Sequence, residues 1–159
     1  MDHLSLRSAT DLRLSEYRQL SFDKDTRNVS RRYRDFIAIL ITSRIVKRFC
    51  QNEQPYTASE LSQQYQIPLR LVNHTLFKLQ EIQLIHEVAT DEKSEEIAYQ
   101  PSMDVSKLSV GLLLNRMDCH GSEDFKMDTT QTYSHEWSAL MQARKAYFEQ
   151  ANNVMLKDL

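Results

Sequence analysis

The chain has 159 residues, 41% of them hydrophobic and 26% charged, with 20 Lys and Arg against 22 Asp and Glu for a net charge of −2. This is a globular composition in which one domain, or one small domain with extensions, can bury a core. Two glycines and three prolines disfavour a turn-rich sandwich or barrel, and two cysteines make neither a disulfide framework nor a paired metal motif.

No apolar run approaches the roughly 20 residues that span a bilayer, and Met1–Ser30 lacks the apolar stretch of a signal peptide. The charge is unevenly spread. Residues 1–50 hold 11 Lys/Arg and 6 Asp/Glu, a balance of +5; residues 51–159 hold 9 and 16, a balance of −7.

Residues 1–29 form a polar arm with scattered apolar points (Leu4, Leu12, Tyr17, Phe22) and no clean period. A short helix over about Thr10–Leu20 fits, and partial order through docking on a partner is expected. Ser30 can then cap a long helix to about Cys50. Tyr33, Phe36, Ile37 and Leu40 share one stripe, whereas Ile45, Val46 and Phe49 lie on another side. Such a helix needs covering from two directions.

The stretch Tyr56–Gln100 organises the chain. Thr57 followed by Glu60 is a capping box, and the helix it opens carries Leu61 and Tyr65 on one face. Gln66 and Ile67 turn the chain, and Pro68 supplies a first helical residue with φ already set. The second helix places Leu69, Val72, Leu76 and Leu79 on one apolar stripe. Leu84–Val88 and Ile97–Tyr99 read as strands around a polar turn, Thr90–Glu96. Helix, turn, helix and hairpin make a winged helix. Beyond it, Asp104 is expected to cap a helix to about Met117, Asp118–Thr132 is a polar loop, and Ser134 opens a last amphipathic helix. The expected fold is mainly α with a small β-hairpin: an arm (1–29), a winged-helix domain (30–117), a polar loop (118–133) and a C-terminal helix (134–159).

The second helix of the motif projects Arg70, His74, Phe77, Lys78 and Glu81 away from its stripe, where a DNA reader would approach base edges. Against this, Thr57–Gln100 holds three basic and seven acidic residues, and the wing tip is Asp91-Glu92-Lys93-Ser94-Glu95-Glu96. An acidic tip is pushed off the phosphate backbone. Leu71 and Phe77 at the rim suit a protein surface, so nucleic acid is held open but disfavoured. If nucleic acid binds, Arg70, His74 and Lys78 are its candidate contacts. Arg31, Arg32 and Arg34 cluster within four residues and can face anionic headgroups, or simply solvate a helix end. Asp118, Cys119, His120, Glu123 and Asp124 lie close in sequence but lack zinc-ligand spacing. No nucleophile–base pair or phosphate loop is legible, so no catalytic residue, metal or cofactor is assigned. The stripe carrying Trp137 and Tyr147 reads as a core or dimer face, with Trp137 expected to be mostly buried.

The run RNVSRRYRDFIAILITSRIVKRF followed by PYTASELSQQYQIPLRLVNHTLFKLQEIQLI resembles the cytoplasmic C-terminal tail of YihY/BrkB-type membrane proteins, a family also called ribonuclease BN or virulence factor BrkB. LLLNRMDCHGSEDFK is similar to tails in some bacterial members, and the likeness covers about Asp25–Lys126. The resemblance implies a preceding core of about six membrane helices, so that the chain is an excised fragment and Met1 an artificial start. It would set Arg31, Arg32 and Arg34 near the cytoplasmic leaflet of the inner membrane. The leading reading is therefore a non-enzymatic cytoplasmic domain of a membrane protein, acting through a protein partner or self-association. The alternative is a dimeric DNA-binding transcriptional regulator. A third reading is an accessory domain of a tRNA-processing ribonuclease.

Overall fold

The computed structural model describes Thr26 and residues 28–90 and 95–159. Nearly all of the arm, and the tip Asp91–Ser94, lie outside these residues. The elements are α1 (Arg31–Cys50), β1 (Tyr56–Thr57), α2 (Ala58–Tyr65), α3 (Leu69–Glu81), β2 (Ile85–Ala89), β3 (Ile97–Pro101), α4 (Val110–Asp118) and α5 (Ser134–Ala151), with 3-10 turns at Val105–Lys107 and Leu156–Asp158. The winged helix is present as expected.

The local signals act where the sequence places them. The Ser30 hydroxyl accepts from the Tyr33 amide and starts α1. Thr57 Oγ1 accepts from the Glu60 amide at 3.2 Å, while Glu60 Oε2 accepts from the Thr57 amide at 2.9 Å. Both partners of the capping box satisfy amides that the first turn leaves orphaned. Gln66 adopts the left-handed region (φ 52°) to end α2, and Ser62 donates to the Ile67 carbonyl across the turn.

Three features differ from expectation. The sheet has three strands in the order β1-β3-β2, because Tyr56 and Thr57 pair antiparallel with Tyr99 and Ala98. A two-residue strand paired across some forty positions leaves no local trace. The expected helix from Asp104 is split. Asp104 caps only the 3-10 turn, and Ser109, whose hydroxyl accepts from the Leu112 amide, restarts the chain as α4. The buried face of α3 is rotated, with Leu71 at 5% exposure and Leu69 at 40%. Ala38 and Leu71 both border the cleft between α1 and α3, so α1 covers the Leu71 side and leaves Leu69 wet.

The core gathers Ile41 and Ile45 from α1, Leu61 from α2, Val72, Leu76 and Leu79 from α3, and Leu108 and Leu113 from the segment after the wing. Leu156, in the last 3-10 turn, joins it by packing on α1. The C-terminal end is tied down by backbone bonds from the Val110 amide to the Val154 carbonyl (2.8 Å) and from the Leu156 amide to the Leu108 carbonyl (2.9 Å). Gly111 allows this closeness, since a Cβ there would meet the Asn152 nitrogen at 2.7 Å.

Helix α5 departs furthest from expectation. None of its 18 residues is buried, and Trp137 is 37% exposed. Of the two covers the sequence leaves open, α1 of the same chain or a second copy, the first is not found among the described residues. Helix α5 packs on α4 instead, and Phe148 is its side chain partly buried against the core.

Candidate nucleic-acid interface

At 100° per residue, the buried stripe of α3 (Leu71, Val72, Thr75, Leu76, Leu79) leaves an opposite face formed by Arg70, Asn73, His74, Phe77 and Glu81. All five are exposed, Phe77 to 59%. Arg70, Asn73 and Phe77 follow one another at three and four residues, as one ridge along the helix. Arginine can pair with guanine and asparagine with adenine, each by two hydrogen bonds, while an apolar side chain can meet a thymine methyl group. Asn73 was missed in the sequence; its signal was its place between Arg70 and Phe77 on the same ridge.

Of the three expected contacts, Arg70 and His74 lie on this face and Lys78 does not. Lys78 is half-buried on the flank of α3 that faces α1. His74 stands at the border between the two. Burial, followed by the charges of Lys78 and Arg34, holds its imidazole below the usual 6.5, so the neutral form is favoured. Leu71 is withdrawn from the expected interaction face because it belongs to the core.

The wing rises beside this helix. Strands β2 and β3 pair from Ile85 with Pro101 to Ala89 with Ile97, and the Thr90 hydroxyl donates to the Glu96 carbonyl at 2.8 Å. Glu87, Glu95 and Glu96 are exposed on it.

The basic cluster at the start of α1 does not present one face. Arg31 and Arg144 of α5 both bind Asp118, whose side chain is only 15% exposed. Arg34 is half-buried against α3, and Arg32 is exposed. The candidate ligands of the loop are also dispersed: Asp118 serves two arginines, His120 Nε2 meets Glu81 Oε2 at 2.9 Å, and Cys119 bonds Asn115. Among the described residues no group of three such side chains converges.

Solved structures share the fold. The chain matches IscR of T. potens with a TM-score of 0.56 at 14% identity, over 82% of this chain and 84% of that one. It matches the global cysteine regulator CymR of B. subtilis with a TM-score of 0.55 at 12% identity, over 82% and 94%. CymR of Staphylococcus aureus matches with 0.54 at 12% identity, over 79% and 93%. The fold is that of winged-helix regulators. No protein-family model matches the sequence, and no curated protein matches it.

These likenesses correct the leading reading. A membrane-protein tail domain that avoids nucleic acid is set aside, because a structure that shares the fold over 82% of this chain is that of a global regulator. Among the described residues no helix is long and apolar enough to cross a membrane.

Proposed function

We propose that the chain is a DNA-binding transcriptional regulator that works as a homodimer in the cytoplasm. The observation that carries this reading is the ridge Arg70–Asn73–Phe77. It sits on the second helix of a helix-turn-helix, is solvent-facing, and has no part in the core. Helix α3 would enter the major groove with its N-terminal half leading, and the acidic wing would lie clear of the phosphates.

Dimerisation is supported by the surface of α5. Trp137, Leu140 and Met141 are exposed there, with Phe125 (74%) and Met127 (62%) of the preceding loop beside them. Phe125, Met127, Tyr133, Trp137 and Leu140 line one mostly apolar groove of about 430 Å³. Leaving such side chains wet forfeits roughly 1.5–3 kcal/mol each. A second copy meeting α5 across a two-fold axis would set two α3 helices on a palindromic site with half-sites about 34 Å apart, or a multiple of that.

Selection from random duplexes, followed by titration at physiological salt, tests the reading. The expected result is one palindromic sequence bound with a Kd of about 10⁻⁸ M or tighter. Arg70→Ala and Asn73→Ala should each weaken it by about 1–3 kcal/mol and relax the preference at single base positions. Recovery of no sequence above the non-specific level would overturn the proposal.

A further inference from the structure

A cleft of about 400 Å³ opens between the start of α1, the flank of α3 and the end of α4. Its size is that of a small-molecule site. Ala38, Leu71, Leu79 and Met117 give it an apolar floor. It is bordered by the Asp118 carboxylate with Arg31 and Arg144, and by the contact of His120 Nε2 with Glu81 Oε2. Between them stand Arg34, His74 and Lys78, with Asp35 as the facing carboxylate.

Arg31 and Arg144 share the single carboxylate of Asp118, so that side keeps an excess of positive charge. Neither Arg34 nor Lys78 is ion-paired among the described residues. The two cations lie close enough to His74 to disfavour its protonation, and burial works against ionisation of Asp35. Asp35, the carboxylate facing these two cations and the imidazole, can offset only one of the cations. Arginine and lysine together are suited to phosphate or carboxylate oxygens.

We propose that this cleft binds a small organic oxyanion, a phosphate or carboxylate group held by Arg34, Lys78 and His74 with its carbon skeleton on the apolar floor. Asp35 would accept from a hydroxyl or amine of the same molecule. Lys78 and His74 belong to α3, and Arg31, at the mouth, shares Asp118 with Arg144 of α5. An occupant therefore bears on the recognition helix and, through Asp118, on the seat of α5. This regulatory half rests on the reading of α3 as a DNA reader; the binding half does not.

Calorimetry on the full chain at low ionic strength, without DNA, tests binding with three probes: glycerol 3-phosphate, citrate and inorganic phosphate. The expected result is one site per chain for glycerol 3-phosphate or citrate, with a Kd of about 1 mM or tighter. Preference between these two identifies the head group, and inorganic phosphate should bind more weakly because it leaves the floor empty. Arg34→Gln and Lys78→Gln should each weaken binding about tenfold, whereas Lys107→Gln, distant on the surface, should not. Absence of binding by all three probes, or binding unchanged in the Arg34→Gln Lys78→Gln double variant, overturns the proposal. A bound probe that leaves DNA affinity unaltered overturns its regulatory half alone. Arg34→Gln, which is off the DNA-facing ridge, should abolish the probe's effect on DNA while keeping binding to DNA without the probe.

Discussion

Helices α1 and α5 are of similar length, 20 and 18 residues, yet α1 buries seven residues and α5 buries none. Both sequences carry aromatic and aliphatic side chains at helical spacing. The difference lies in what each helix can reach. Helix α1 runs through the middle of the body, in contact with α3, β3 and the final 3-10 turn. Helix α5 follows a polar loop and meets the body along its second half, where Arg144 binds Asp118 and Phe148 docks, with Leu156 beyond it. Amphipathicity states that a face must be covered; it does not say by which chain.

The sharpest way to break that comparison is the same truncation in both regions. Ile41→Ala, in the middle of α1 and fully buried, should lower unfolding stability by about 2–5 kcal/mol at any protein concentration. Trp137→Ala should cost little in dilute solution, and its effect should grow with concentration as the dimer it serves becomes populated. Denaturant titrations at two protein concentrations read both. A concentration-independent loss of 3–5 kcal/mol for Trp137→Ala would mean that α5 is covered within its own chain. Gly111→Ala probes the tie between the two regions. The added methyl group would push against Asn152 and loosen the C-terminal clamp, at about 1–3 kcal/mol.

How much of this was legible in the sequence depends on how far each determinant reaches. Ser30, Thr57 with Glu60, and Gln66 act over three to five residues, and the helix starts and the turn followed from them. Thr57→Ala should accordingly cost about 1 kcal/mol, a smaller loss than Ile41→Ala, measured by thermal or denaturant unfolding. Strand β1 was not legible, because its partners lie about forty residues away and two residues have no period. The face of α3 was read correctly at Val72, Leu76 and Leu79, but Leu69 was taken for a buried residue in place of Leu71. An apolar stripe containing Leu69 and Leu71 can be phased either way until the neighbour that covers it is known. The same ambiguity moved Lys78 from the reading face to the cleft and hid Asn73. Trp137 was read as buried from the strength of its stripe alone. That stripe is real, but among the described residues nothing covers it.

The finest test of the contrast uses acid. Asp35, in the body, has its carboxyl pushed above the ordinary 3.8, first by burial and also by the charge of Asp118, against the pull of Arg31, Arg144 and Lys78. The folded state therefore holds this proton more tightly than the unfolded chain does. Its contribution is fully present below pH 3.8 and is lost as pH rises through the raised value. Asp128, in the loop before α5, is the opposite case. Backbone amides of Thr132 and Gln131 and the hydroxyls of Thr130 and Thr132 hold its carboxyl far below the usual range. What it contributes is present above pH 3.8 and is lost as pH falls through the lowered value. Asp35→Asn should thus raise stability slightly at pH 7, by no more than about 0.5 kcal/mol because the group is partly exposed and screened, and the gain should vanish near pH 3.8. Asp128→Asn should lose stability at pH 7, and that loss should shrink on strong acidification. Urea titrations of the two variants across this range should show slopes of opposite sign. Equal slopes would mean that burial at the start of α1 is too shallow to act on Asp35, and the cleft beside it too wet to favour an anion.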